Sequence, residues 1–249
     1  MEVFLWGVIP YVTLLLVIGG TIWRYRFDRF GWTTRSSELY ESRLLRIASP
    51  LFHYGILVVI AGHAIGLVIP ESWTEFFGIS EDLYHWTAAI SGLIAAAATV
   101  VGCALLIYRR RRTGPVFMAT TRNDKLMYVV LVSALLAGTF ITLVGTVDPH
   151  GVGVNYRETV APWFRSIFFL QPDIDAMSQA PLRFHVHVLV GMALFCLVPF
   201  TRLIHIFTAP LHYLFRPYIV YRSRDPHPAP GARPTRRGWA PVGVKDRDR

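Results

Sequence analysis

Five runs of 20 or more mostly apolar residues divide this chain, at about 3–23, 47–69, 84–108, 126–147 and 184–207. Each is long enough to cross a hydrocarbon core of about 30 Å at about 1.5 Å per helical residue. Inside hydrocarbon every backbone polar group has to be satisfied within its own segment, so such runs are expected to be helices. About 115 of the 249 residues lie in them, which leaves little for a soluble domain. The expected fold class is therefore an all-α integral membrane protein, a five-helix transmembrane bundle over 1–222 with a basic Pro/Gly/Arg-rich tail at 223–249. A charged fraction of only 16% and a mean hydropathy of +0.41 fit a membrane protein.

The first run reads as an anchor and not as a cleaved signal. It opens on Glu2 with no basic stretch, and no small-residue cleavage site follows. Arg24, Arg26 and Arg29 come after it as a stop-transfer signal. The net charge of +9 is unevenly placed. If the N-terminus is outside, the inner segments 24–46, 109–125 and 208 onward carry six, six and nine Lys/Arg. The outer segments, the N-terminus, 70–83 and 148–183, then carry none, none and three. Positive loops stay inside, so the C-terminus is expected in the cytoplasm and the chain in the cell membrane. The basic surplus reads as topology, and no nucleic-acid partner is expected. Cys103 and Cys196 fall mid-span without a CxxC or CxxCH spacing, so they are expected as small packing residues.

A histidine in hydrocarbon is costly and marks a functional site by default. Four lie within two spans: His53 and His63 in the second, His187 and His205 in the fifth. At about 100° per residue, His187 and His205 share one helix face, and His53 and His63 share a broad one. The second helix runs outward and the fifth inward. Matching heights pairs His63 with His187 near the outer face and His53 with His205 near the inner face. Two bis-imidazole haem b sites are expected, one per leaflet. Ten residues rise about 15 Å and eighteen about 27 Å, so the fifth helix has to tilt strongly or kink near Pro199. Zinc or di-iron would want carboxylates or thiolates beside the imidazoles; these two spans carry no carboxylate, and Cys196 is expected as a packing residue. His185 faces away from His205. His85, His150, His212 and His227 sit at interfaces or in loops and are expected to be interfacial or solvated. Arg202, one turn from His205, is expected either to pair with a haem propionate or to snorkel to the inner surface.

Small residues mark the second and third spans: Gly55, Gly62 and Gly66, then Gly92, Ala95 to Ala98 and Gly102. They allow close helix packing or leave room beside a flat macrocycle. The outer loop 70–83 carries four acids and no base. The outer stretch Trp163, Phe164, Ile167, Phe168, Phe169 and Leu170 suits an interfacial helix along the outer leaflet. No internal repeat or broken helix of the kind transporters use is evident.

The segments SPLFHYGILVVIAGHAIGLVIP (49–70) and RFHVHVLVGMALFCLVPFTRLIHIF (183–207) resemble the gamma subunit of respiratory nitrate reductase. So do the opening IPYVTLLLVIGGTIWRYR and MATTRNDKL at 118–126. The resemblance covers about 1–222 and implies two b haems, a distal one held by His63 and His187 and a proximal one held by His53 and His205. It further implies oxidation of menaquinol or ubiquinol at the distal haem, with protons released outside. Electrons would then pass inward to an iron–sulfur beta subunit and a molybdenum-containing alpha subunit that reduces nitrate. Family members from enteric bacteria carry a lysine at the outer start of the third span. Here Asp82-Leu83-Tyr84-His85-Trp86 stands there. His85 is a candidate proton acceptor for a quinol; alternatively Tyr84 or Asp82 would hold a quinone oxygen. Two rival readings remain at this level: a quinol-oxidising cytochrome b anchor of a different cytoplasmic reductase, and a haem-free membrane anchor or small transporter.

Overall fold

The computed structural model describes residues 1–33, 37–38, 40–147 and 155–208, which form helices and turns with no strand among them. His150, His212, His227 and the tail at 223–249 lie outside the described residues. Four helices are long and apolar enough to cross a membrane: Val3–Phe27, Leu45–Val68, Glu81–Arg112 and Arg122–Val147. The first begins as a π-helical stretch, Val3–Val8, and continues as α1 (Ile9–Phe27). The others are α2 (Leu45–Val68), α4 (Glu81–Arg112) and α6 (Arg122–Val147), with the short α3 (Glu71–Phe76) and α5 (Gly114–Met118) between them. Beyond α6 come α7 (Val160–Ile167), α8 (Ile174–Ser178) and α9 (Leu182–Leu197). A 3-10 turn, Arg202–Ile204, then leads into α10 (His205–Thr208).

Local chemistry sets the helix ends. Ser80 caps α4 by accepting from the Leu83 N–H, and Glu81 and Asp82 sit in its first turn. Arg109 to Arg112 occupy its last turn, where cations suit the helix dipole. The Thr113-Gly114-Pro115 sequence then stops it. At α6, Thr121 and Asp124 cap each other reciprocally at 3.0 and 3.1 Å.

The last apolar run is a broken pair, not one continuous helix. Leu182–Leu197 and Arg202–Thr208 meet at 82°. Pro199 is the cause: it lacks an N–H, and its ring clashes with the carbonyl four residues earlier. The kink expected near Pro199 is present, and the expectation of no broken helix is corrected.

Side by side, the main helices run in the order α2, α4, α6, α9, α1. The α2–α4 crossing is the tightest and is made by glycines. A Cβ at Gly102 would lie 2.5 Å from the Phe52 backbone nitrogen, and one at Gly55 would lie 2.8 Å from the Thr99 backbone nitrogen. Those two small residues therefore serve close packing, whereas Gly62 has nothing within 4 Å. The end of the bundle formed by the start of the chain, α7 and α8 has its own core of Trp6, Val160, Trp163, Ile167, Met177 and Ala180. The Trp163 indole donates to the Trp6 carbonyl at 2.9 Å. This corrects the interfacial-helix reading. Trp163 and Ile167 point into the protein, and the exposed part is Phe168, Phe169 and Leu170. Cys103 is buried and Cys196 half-buried, both as free thiols.

Because the α2–α4 crossing leaves no room at Gly102, a Gly102→Val variant is expected to lose about 1–3 kcal/mol or more through overpacking. Gly19→Ala, at a position with nothing within 4 Å, should be neutral. Thermal unfolding of the two detergent-solubilised variants beside the parent measures the difference.

Candidate functional site

The site is assembled from α2 and the broken last run. Neither α2 and α9 nor α2 and α10 are among the closely packed helix pairs. They face each other through histidines instead. The His63 and His187 rings have centroids 5.9 Å apart, and so do the His53 and His205 rings. These are the two pairings that topology predicts from sequence. A ring separation of this size leaves room for a metal ion bonded to a nitrogen of each imidazole at about 2 Å.

The hydrogen bonds select the right nitrogen. His53 Nδ1 lies 2.7 Å from the Ser49 carbonyl, His63 Nδ1 2.8 Å from Val59 O, and His205 Nδ1 2.6 Å from Arg202 O. A carbonyl only accepts, so each Nδ1 carries the proton and donates it. In a neutral imidazole Nε2 is then the free nitrogen, the one able to bind a metal. His187 differs: its Nδ1 is buried and makes no such hydrogen bond, with the Ala134 backbone as its polar neighbour. Its ring lies against Gly138 of α6, where a Cβ would come within 3.0 Å of Cε1. Among the described residues no three His, Cys, Asp or Glu side chains gather as a metal site. The donors come as histidine pairs, a set that fits haem and does not fit zinc or di-iron.

His185 stands apart, as its phase requires. Its Nε2 is 2.8 Å from the Met177 carbonyl, and its ring centroid is 4.8 Å from that of Trp6. Arg202 does not snorkel. Its Nε and Nη2 donate to Asp124 at 2.9 and 3.0 Å, with the Asp124 side chain 4% exposed and that of Arg202 17%. Sequence reasoning missed Asp124, although an acid in the first turn of an apolar helix is a signal that a partner is needed.

Near the N-terminal end of α4, Tyr84 and His85 are successive residues with different neighbours. The Tyr84 hydroxyl is 3.1 Å from that of Tyr156, and the Arg157 guanidinium lies 4.0 Å over the Tyr84 ring. Arg157 donates to Glu81 at 2.8 Å and to the Thr74 hydroxyl at 2.8 Å. Burial, and then the bond to Tyr84, push the Tyr156 phenol well above its ordinary value, so it stays protonated. Burial first, and then neighbouring Glu81, raise the Glu71 carboxyl. Tyr156 packs against Gly66, where a Cβ would lie 2.8 Å from its hydroxyl. Gly66 is one turn beyond His63, so the tyrosine pair neighbours the His63–His187 pair. His85 Nε2 is buried without a partner among the described residues, and its ring meets Trp86 edge-on. Asp82 is exposed. Sequence reasoning missed Tyr156 because it lies in a long loop, 72 residues after Tyr84 and close to it only in space.

Removing one partner of a buried ion pair leaves an uncompensated charge and costs about 3–5 kcal/mol. Asp124→Asn is therefore expected to lower the melting temperature in detergent clearly. The double variant Asp124→Asn with Arg202→Met should recover part of the loss, and a thermal double-mutant cycle reads the coupling.

The nitrate reductase gamma subunit family model matches residues 2–224. The chain is 62% identical over 234 residues to the nitrate reductase-like protein NarX of Mycobacterium tuberculosis, covering 94% of this chain and 35% of that protein. It thus spans about a third of that relative's length. It is 44% identical over 221 residues to the nitrate reductase gamma chain of Bacillus subtilis, covering 89% of this chain and 98% of the relative. It is 29% identical over 225 residues to the respiratory nitrate reductase 2 gamma chain of Escherichia coli, covering 90% and 98%. By the match of the family model over nearly the whole chain and the identity to the Bacillus subtilis relative, the chain belongs to the nitrate reductase gamma subunit family.

Proposed function

We propose that this chain is the dihaem cytochrome b membrane subunit of a quinol–nitrate oxidoreductase, with the bent last pair serving as a fifth span. The observation that supports it most is the double pairing of His63 with His187 and His53 with His205, each at 5.9 Å, between helices that do not pack closely. His63 and His187 would hold the distal haem b, and His53 and His205 the proximal one. When bound, each haem would supply one-electron transfer by cycling its iron between ferric and ferrous states. The chain's own part is to fix ring direction and tautomer through the Ser49, Val59 and Arg202 carbonyls, and to keep the pairs in an apolar surround.

At the outer end, Tyr84 and Tyr156 offer hydroxyls to a quinol oxygen, and the partnerless Nε2 of His85 offers a base for its proton. The Glu71 and Glu81 carboxylates stand at the outer rim as the next acceptors towards water. Arg202 would meet a proximal propionate through Nη1, since Nε and Nη2 are held by Asp124. The 21 Lys/Arg in the segments read as inner, against three in the outer ones, support an outside N-terminus in the cell membrane. Electrons would then leave on the cytoplasmic side to an iron–sulfur beta subunit and a molybdenum alpha subunit, the partners that family membership suggests.

Pyridine haemochrome quantification with redox difference spectra tests this on membranes carrying the chain. The parent is expected to hold two b haems, and His63→Ala and His205→Ala are expected to lose a different one each. Correctly inserted protein without haem would overturn the reading. For the quinol site, His85→Ala is expected to slow quinol-dependent haem reduction at least about tenfold, and full retention of that rate would remove His85 from it.

A further inference from the structure

We propose that Arg24 is a positioning residue for His205, acting from α1 through the break in the last apolar run. The inference rests on the haem reading above, since what it positions is the proximal ligand. A proline inside an apolar run frees backbone carbonyls, and in a membrane these need partners from the protein. At this break Thr201 supplies some. Its hydroxyl donates to the Leu197 carbonyl at 2.8 Å and accepts from the Leu203 N–H at 3.3 Å. Arg24 supplies others. Its Nη1 donates to the Pro199 carbonyl at 2.6 Å and to the Thr201 carbonyl at 3.2 Å. Its Nη2 donates to the Gly31 carbonyl at 3.1 Å, and its Nε lies 3.4 Å from the Asp28 carboxylate.

Position and burial make this more than a stop-transfer charge. Arg24 is only 5% exposed, whereas an arginine that merely ends a span reaches for water. One turn earlier on the same face of α1 is Gly20. A Cβ there would lie 2.9 Å from Pro199 Cβ, so α1 approaches the break as closely as a glycine allows. Gly20 and Arg24 together form a seat for residues 199–201. The planar fork of an arginine can reach several carbonyls at fixed angles, which a lysine ammonium does not reproduce.

The seat lies directly upstream of the ligand. From Thr201 the chain enters the 3-10 turn Arg202–Ile204, whose Arg202 carbonyl accepts the His205 Nδ1–H. Asp124 clamps the Arg202 side chain from α6, and Ile204 is fully buried. His205 is thus aimed at His53 by contacts at 199, 201 and 202. His187 lies on α9 before the break, and its direction does not pass through the seat. Loss of the Arg24 fork should therefore disturb one histidine pair and spare the other.

The test uses the full chain in membranes: the parent, Arg24→Gln, Arg24→Lys and the milder Gly20→Ala. Potentiometric titration with difference spectra, and low-temperature electron paramagnetic resonance, follow each haem separately. The His205→Ala and His63→Ala variants assign the signals. The expected result is a shifted potential and altered low-spin signal, or loss, of the His205-dependent haem alone in both Arg24 variants. Gly20→Ala should give a smaller change of the same kind. Equal disturbance of both haems would mean a general structural role and overturn the proposal. So would two unchanged haems. A parent with no haem is a different failure, visible without any Arg24 variant, and it would remove the haem reading beneath the proposal.

Discussion

The separation between α2 and the last apolar run governs this structure. Two helices that present histidines to each other at ring distances of 5.9 Å cannot also pack their backbones together. Lipid provides no hydrophobic force to set such a spacing, so the neighbours have to hold it. On one side α2 is fixed to α4 by the Gly55 and Gly102 contacts, next to His53. On the other, α9 is flanked by α6 and α1. Gly138 of α6 gives the His187 ring its place.

The buried charges follow the same logic. Arg24, Arg157 and the Arg202–Asp124 pair are each tied to irregular or terminal backbone and not to the straight middle of a helix. Where the chain departs from regular helix, at the break and around Arg157, a guanidinium is bound to carbonyls, hydroxyls or carboxylates. A charge in a low-dielectric setting is tolerated because it replaces the water that backbone there would otherwise need.

Much of this was legible in the sequence, because hydropathy and helical phase act over long stretches. Four apolar runs are single helices, and the histidine pairing follows from the direction of the two runs and the height of each histidine along them; the shared phase of His187 and His205 assumed an unbroken helix, which Pro199 interrupts. His185 is turned away from His187 within α9 itself, two residues earlier. What was not legible depends on contacts between distant segments. Arg24 looks like a boundary charge until Pro199 is beside it. Trp163 looks interfacial until Trp6 and Met177 cover it. Asp124 and Arg202 are 78 residues apart, and neither position reveals its partner. Tyr156 gains meaning only from Gly66 and Tyr84.

The 82° bend also separates chain spacing from physical spacing. On α2 the two histidines are joined by unbroken helix. Adding or deleting one residue between His53 and His63 would turn one of them by about 100° and shift it about 1.5 Å. Between His187 and His205 the backbone passes through a hinge that is held by side chains from other helices. Length changes at 198–201 would leave His187 unrotated but would pull the gripped carbonyls of Pro199 and Thr201 off their seat, and His205 with them. The two halves of the site therefore differ in what an insertion moves: α2 acts as a rigid ruler, and the last run as a jointed arm whose reach is set by what grips its elbow.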